Sequence, residues 1–229
     1  MIQFAAPTGD LATEVRVTLF SVAAATGRVP QAPELARALH RSESEVRAAL
    51  RQLAAARALI LAPNAGEIWA AAPFCAVPSP FRVSALGRLY FGICAWDALE
   101  IAAALHAAAD ISAPCGDCGA PMRLEIRHGT LSRTEGVVHF AVPAARWWDN
   151  IGFTCSTTLL FRDEEHVDRW CAARDMHRGA IVTIDQAWRL AHGWYRDKSE
   201  PFWRVQTVEE TEALFAEVGL SGPFWSLRG

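Results

Sequence analysis

The sequence predicts an α+β protein, an N-terminal winged-helix-like helical module packed on a mainly antiparallel-sheet domain with surrounding helices. Three observations carry that prediction. Helical spacing runs through the first part of the chain and ends in a hairpin pattern, a Pro-punctuated connector follows from Ala72-Pro73 to Pro80, and short alternating runs then mix with amphipathic ones. At 229 residues, 52% hydrophobic and 21% charged, the chain is long enough to bury a real core.

In order, residues 11–25 place Leu11, Val15, Leu19 and Val22 at helical spacing, and Gly27 with Pro30 stops that helix. Residues 32–39 form a short second helix. A third opens at Ser42 with Glu45 three residues on, a capping box, and carries Val46, Leu50 and Leu53 on one face. Leu59–Leu61, the turn Pro63-Asn64-Ala65-Gly66 and Ile68-Trp69-Ala70 read as a hairpin. The expected division is a module over 1–75 and a second unit over 76–229. In the latter, residues 82–91 read as extended and 93–107 as helical. Met122, Leu124 and Ile126 alternate with Arg123 and Glu125, Val137–Val142 is a strand, and Ile151–Phe161 reads as another. Asp163 caps a helix bearing Val167, Trp170 and Cys171. Ile181–Ile184 is a strand, Gln186–Trp194 a helix, and Thr207 with Glu210 opens the last helix, which ends near Gly219.

Charge limits the partners. The formal net charge is −3, and residues 1–75 hold seven arginines against six acids with no basic stripe. The third helix opens with Glu43 and Glu45, which would face phosphates, so the module argues against DNA binding. No apolar run approaches the length that spans a bilayer, and the opening MIQFAAPTGD lacks a leader pattern. A cytoplasmic location is expected. In that reducing setting the cysteines at 75, 94, 115, 118, 155 and 171 are packed, metal-binding or catalytic rather than disulfide-bonded.

Cys94 and Asp97 are the first candidates for chemistry. In a helix starting near residue 92, positions 94, 97, 98, 101 and 105 share an apolar face, with thiol and carboxyl one turn apart. The helix N-terminus favours a thiolate, whereas burial favours a protonated Asp97; a small core cysteine and a simple helix cap are the alternatives. Cys155 is expected to point inward from its strand, which allows it to partner Cys94. Cys115-Gly-Asp-Cys118-Gly has the spacing of half a zinc knuckle but lacks a second pair. Cys75, Cys171 or a histidine could complete a zinc or soft-metal site only through the fold. Cys171 reads as core, Cys75 is undecided, and His166 and His177 read as surface residues. Trp147-Trp148-Asp149 could line an apolar pocket or cover the sheet. Phosphate-loop, dinucleotide, nucleophile-elbow and zinc-protease motifs do not occur.

The run Leu89-Tyr90-Phe91-Gly92-Ile93-Cys94-Ala95-Trp96-Asp97-Ala98-Leu99 resembles the aromatic-x-x-C-A-x-D-x-L helix start of the organomercurial (alkylmercury) lyases. Phe153-Thr154-Cys155 followed by Leu160-Phe161 is similar to that family's second cysteine segment, and Cys115 before Gly119-Ala120-Pro121 to a further landmark. The resemblance covers most of residues 10–195. It implies protonolysis of carbon–mercury bonds, with Cys94 as the first thiolate on mercury, Cys155 as the second thiol and Asp97 relaying a proton to the leaving carbon. The implied products are a hydrocarbon and thiolate-bound Hg(II), passed to small thiols or a mercuric reductase, with no organic cofactor. Three features depart from the family pattern: Cys118; Trp96, expected to point away from the site; and the tail from Glu209 through Gly222-Pro223-Phe224-Trp225. The alternatives are a soft-metal-binding paralogue, a metal-responsive winged-helix regulator and a zinc protein centred on Cys115 and Cys118.

Overall fold

The structure is a computed structural model that describes residues 11–195, 197–198 and 200–228. The opening decapeptide, read above for a leader pattern, lies outside the described residues. Helix α1 (Leu11–Thr26) buries Val15 and Leu19 and ends at Gly27. Gly27 has φ +76°, and a Cβ there would stand 2.6 Å from the Leu89 carbonyl oxygen, so only glycine lets these segments approach. Helix α2 (Ala32–Leu39) and helix α3 (Glu43–Ala55) follow, the latter opened by the expected Ser42/Glu45 capping box. Strands β1 (Ile60–Leu61), β2 (Ile68–Ala71) and β3 (Phe74–Cys75) make a small antiparallel sheet in that order. Several arginines of this region pair with its own acids: Arg28 with Glu34, Arg41 with Glu14, and Arg47 with Glu43 and Glu67.

Strands β4 (Arg82–Ala85), β5 (Arg88–Phe91), β6 (Ala109–Pro114), β7 (Pro121–Arg127) and β8 (Thr130–Arg133) form a five-stranded antiparallel sheet in the order β5-β4-β6-β7-β8. The expected extended run over 82–91 is folded on itself. Leu86 and Gly87 both have positive φ, the conformation that joins two strands in a tight hairpin. Met122, Leu124 and Ile126 of β7 are buried, as their alternation predicts. Helix α4 (Ala95–Ala104) lies between this sheet, at β4 and β6, and helix α7 (Ile184–Tyr195); with both sides covered, Asp97–Ala103 are all buried.

A third antiparallel sheet has the order β10-β9-β11, from β9 (Val137–Phe140), β10 (Leu159–Phe161) and β11 (Ala180–Thr183). A 3-10 turn (Ala144–Arg146) and helices α5 (Ile151–Thr157), α6 (Glu164–Ala173) and α8 (Val208–Glu217) complete the architecture. Asp163 caps α6, and Thr207 with Glu210 forms the capping box of α8, as expected. Helix α5 corrects the strand expected over 151–161, of which only β10 is extended. The Asn150 side chain accepts the Phe153 N–H (3.0 Å), and the Thr157 and Thr158 hydroxyls donate to the carbonyls of Phe153 and Thr154 (2.9 and 2.8 Å). These bonds give the polar β-branched residues partners inside a helical turn. Phe153, which the alternation turned inward, is 48% exposed. No helix among the described residues is long and apolar enough to cross a membrane.

Candidate active site and a separate cysteine cluster

Cys94 is the N-cap of α4 rather than a residue inside it, because the helix begins three residues later than its periodicity suggested. The Cys94 N–H donates to Asp97 Oδ2 (3.1 Å) and the Asp97 N–H donates to Cys94 Sγ (3.4 Å). Thiol and carboxyl thus form a reciprocal capping box in which sulfur takes the place of a serine oxygen. Asp97 does cap its helix, and this same bond holds it beside the sulfur.

Cys155 reaches the pair from α5. The Ala95 N–H donates to the Thr158 carbonyl (3.1 Å), joining the start of α4 to the end of α5, and the Thr154 hydroxyl donates to the Trp147 carbonyl (2.9 Å). The Cys94 and Cys155 sulfurs and an Asp97 carboxylate oxygen all lie within 4.8 Å of one another, with the three residues 3%, 8% and 5% exposed. Burial, then the adjacent Cys155 thiol and the Asp97 charge, push the Cys94 thiol well above its ordinary value. The helix N-terminus, expected to favour a thiolate, is outweighed by desolvation. Burial also raises the Asp97 carboxyl.

The three groups open into a cavity of about 690 Å³. Its wall includes Trp147 and Trp148, as one reading of that aromatic run expected, and also Trp96. Trp96 does not point away. Its ring meets those of Phe140, Trp147, Trp194 and Tyr195 at centroid distances of 5.5–6.4 Å, completing an aromatic wall that the isolated helix pattern could not show.

Two charged side chains escaped the sequence reading. Glu100, one turn beyond Asp97, is 1% exposed, and its Oε1 makes no hydrogen bond among the described residues. Burial, followed by the Asp97 charge, holds its carboxyl well above the usual range. Lys198, 3% exposed, is pushed down to about 7 by burial, against the opposing pull of Glu100 and Asp97. Its ammonium sits 4.3 Å from the Tyr195 ring centroid and 5.0 Å from that of Trp203. The Arg16 guanidinium of α1 fixes this loop by donating to the carbonyls of Lys198 (2.6 Å) and Glu200 (2.8 Å). A signal for each was present: Glu100 is an acid inside an otherwise apolar helical run, and Lys198 is the chain's only lysine.

Cys115 and Cys118 lie elsewhere, in the turn between β6 and β7. Their sulfurs and a ring nitrogen of His166 all lie within 4.8 Å of one another. His166 therefore differs from the surface residue expected; it projects from α6 towards the turn with its side chain 14% exposed. His177 is exposed and Cys171 buried, as expected. Cys75 is buried on β3, its thiol raised by burial and then by the Asp97 and Cys155 charges, which puts it in electrostatic reach of the cavity.

Residues 74–196 match the family model described as MerB, alkylmercury lyase. Among solved structures, the chain is similar to the mercury-bound form of MerB2, with a TM-score of 0.69 and 23% identity over 86% of this chain and 95% of that one. At that identity the likeness establishes a shared fold. No curated protein matches the chain.

Proposed function

The chain belongs to the alkylmercury lyase family, and on that premise we propose that Cys94, Cys155 and Asp97 perform protonolysis of a carbon–mercury bond in the aromatic-walled cavity. The observation that carries this reading is the meeting of two buried sulfurs and one carboxyl within 4.8 Å. An organomercurial R–Hg–X enters with its organic group against the tryptophans. Mercury(II) is soft and selects thiolates over oxygen or nitrogen. The Cys94 thiol, held protonated by burial, gives up its proton as its sulfur bonds to mercury, and X leaves with one proton. Cys155 then bonds to the same ion, and Asp97 accepts that second proton. The carbon–mercury electron pair stays with carbon, Asp97 delivers the proton there, and R–H departs. Two thiol protons are thus consumed, one by X and one by carbon, and mercury remains Hg(II) throughout.

Asp97 serves as both base and acid, and its upward shift brings it closer to the range where one group does both. Glu100 and Lys198 set that balance from the wall of the same cavity. The chemistry calls for no organic cofactor, since the chain supplies both sulfurs and the proton relay. Small thiols or a mercuric reductase receive the dithiolate-bound Hg(II). Residues 1–75 act as a supporting module for a catalytic unit over 76–229, contributing Arg57, Ile60 and Ala72 to the cavity wall. Cys115 and Cys118, marked by their spacing for zinc or another soft metal, belong to a different cluster and take no part in protonolysis.

Incubating the protein with phenylmercury and excess small thiol tests the reading. Benzene above the thiol-only control is expected; its absence overturns the assignment for that substrate.

A further inference from the structure

We propose that Cys115, Cys118 and His166 form a zinc(II) site, separate from the cavity, with its fourth position open to solvent. A tetrahedral zinc with bonds of about 2.3 Å to sulfur and 2.0–2.1 Å to nitrogen places its donors roughly 3.5–3.8 Å apart. The three donors here already lie within 4.8 Å of one another, so closing on the ion shortens any pair by at most about 1.3 Å.

The scaffold is held before any ion arrives. Within the turn, the Cys115 N–H donates to the Ala120 carbonyl (2.8 Å) and the Gly119 N–H to the Cys115 carbonyl (2.9 Å), with Gly119 at φ +70°. The Gly116 N–H donates to the Leu160 carbonyl of β10 (2.9 Å), and a Cβ on Gly116 would lie 2.7 Å from the Phe161 ring. The turn is therefore pinned to the third sheet at a point where only glycine fits.

The third ligand is oriented too. Asp163 Oδ1 accepts the His166 backbone N–H (3.0 Å) and lies 2.7 Å from Nδ1 of the same residue. With the proton on Nδ1, Nε2 keeps its lone pair for a metal, the carboxylate–histidine arrangement that orients metal-bound imidazoles. Arg169 of α6 pairs with Asp117 (3.0 Å), a second tie across the same gap that also occupies the turn's own carboxylate. Two thiolates with an imidazole suit a borderline ion that takes four ligands. Zinc here would clamp α6 to the β6–β7 turn.

The test measures metal content, so it stands whether or not protonolysis is observed. Full-length protein is reduced, stripped with a chelator and titrated with Zn(II) and, separately, Co(II). The expected result is one zinc per chain and a thiolate-to-cobalt charge-transfer band, both retained in a Cys94→Ser/Cys155→Ser double variant. Cys118→Ser, at an exposed position that leaves the core alone, removes the band. His166→Ala weakens zinc by more than the roughly 10- to 100-fold that loss of an outer-shell partner costs, and His166→Cys restores it. Any of four results overturns the proposal: no zinc bound, binding that follows Cys94 and Cys155 instead, indifference to His166→Ala, or a Cys115–Cys118 disulfide that persists under reductant.

Discussion

At Cys94 two effects compete, and their magnitudes decide the starting state. A helix N-terminus contributes a fraction of a kcal/mol to about 2 kcal/mol in favour of a thiolate, whereas burial, then the neighbouring Cys155 and Asp97, push the Cys94 thiol well above its ordinary value. The resting site therefore holds the Cys94 thiol protonated, so one proton used in the reaction is already in place. Cys94→Ser and Cys155→Ser should each abolish hydrocarbon release. Asp97→Asn keeps mercury binding but slows release by about 10²- to 10⁴-fold, the usual contribution of a positioned general acid; parallel mercury-binding and benzene assays separate the two. Burial raises the Asp97 carboxyl, and the Lys198 charge opposes that rise. Lys198→Met should accordingly move the acid limb of the pH–rate profile upward, because an opposite charge has been removed. Cys94 and Asp97 were legible from their three-residue spacing. The roles of Glu100 and Lys198 were not, because they depend on a lysine about 100 residues away being brought beside one helix face.

The capping box at α4 and the Asn150 cap at α5 are what put the site residues in register. The Cys155 segment misled the sequence reading: alternation of Phe153, Cys155, Thr157, Leu159 and Phe161 suits a strand, yet hydroxyl back-bonding and one side-chain cap favour a helix. Short segments with mixed periodicity are decided by such local bonds and by packing, which pattern alone does not weigh. Asn150→Ala should cost about 1 kcal/mol of stability and reduce activity beyond that loss, checked by denaturant unfolding alongside benzene release. Gly92 is the second sensitive point, since a Cβ there would stand 2.8 Å from the Ala98 nitrogen and 3.1 Å from the Asp97 carbonyl carbon. Gly92→Ala should destabilise the protein by roughly 1–3 kcal/mol through overpacking and displace the Cys94–Asp97 turn, with near-complete loss of activity. By contrast, α2, α3 and α8 follow their sequence signals closely, because end signals and periodicity agree there.

Across the whole molecule, the cavity draws on distant parts of the chain: Arg57 and Ile60 from the first part, Trp147 and Cys155 from the middle, and Leu227 and Arg228 from the tail. Arg16 extends this linkage by holding the Lys198 loop from α1. The buried acids leave a signature in global stability. Glu100 is raised above its ordinary 4.5, so the folded state keeps a proton that the unfolded chain releases. That stabilising contribution is fully present below the unfolded value and is lost as pH climbs through the folded one. Lys198, lowered to about 7 from 10.5, acts oppositely, adding stability as pH rises between those values. Glu100→Gln removes the first effect and leaves Lys198 less charged, so stability should decline less with pH above 4.5 than in the parent protein, as read by unfolding midpoints across a pH series.

A single-turnover reaction with equimolar phenylmercury and no added thiol tests the shared dithiolate most directly, with benzene and protein-bound mercury measured in the same sample. One benzene released and one Hg(II) retained per chain, with Cys94 and Cys155 both protected from alkylation, is the expected result. Benzene released at the parent rate by the Cys94→Ser or Cys155→Ser protein would contradict it.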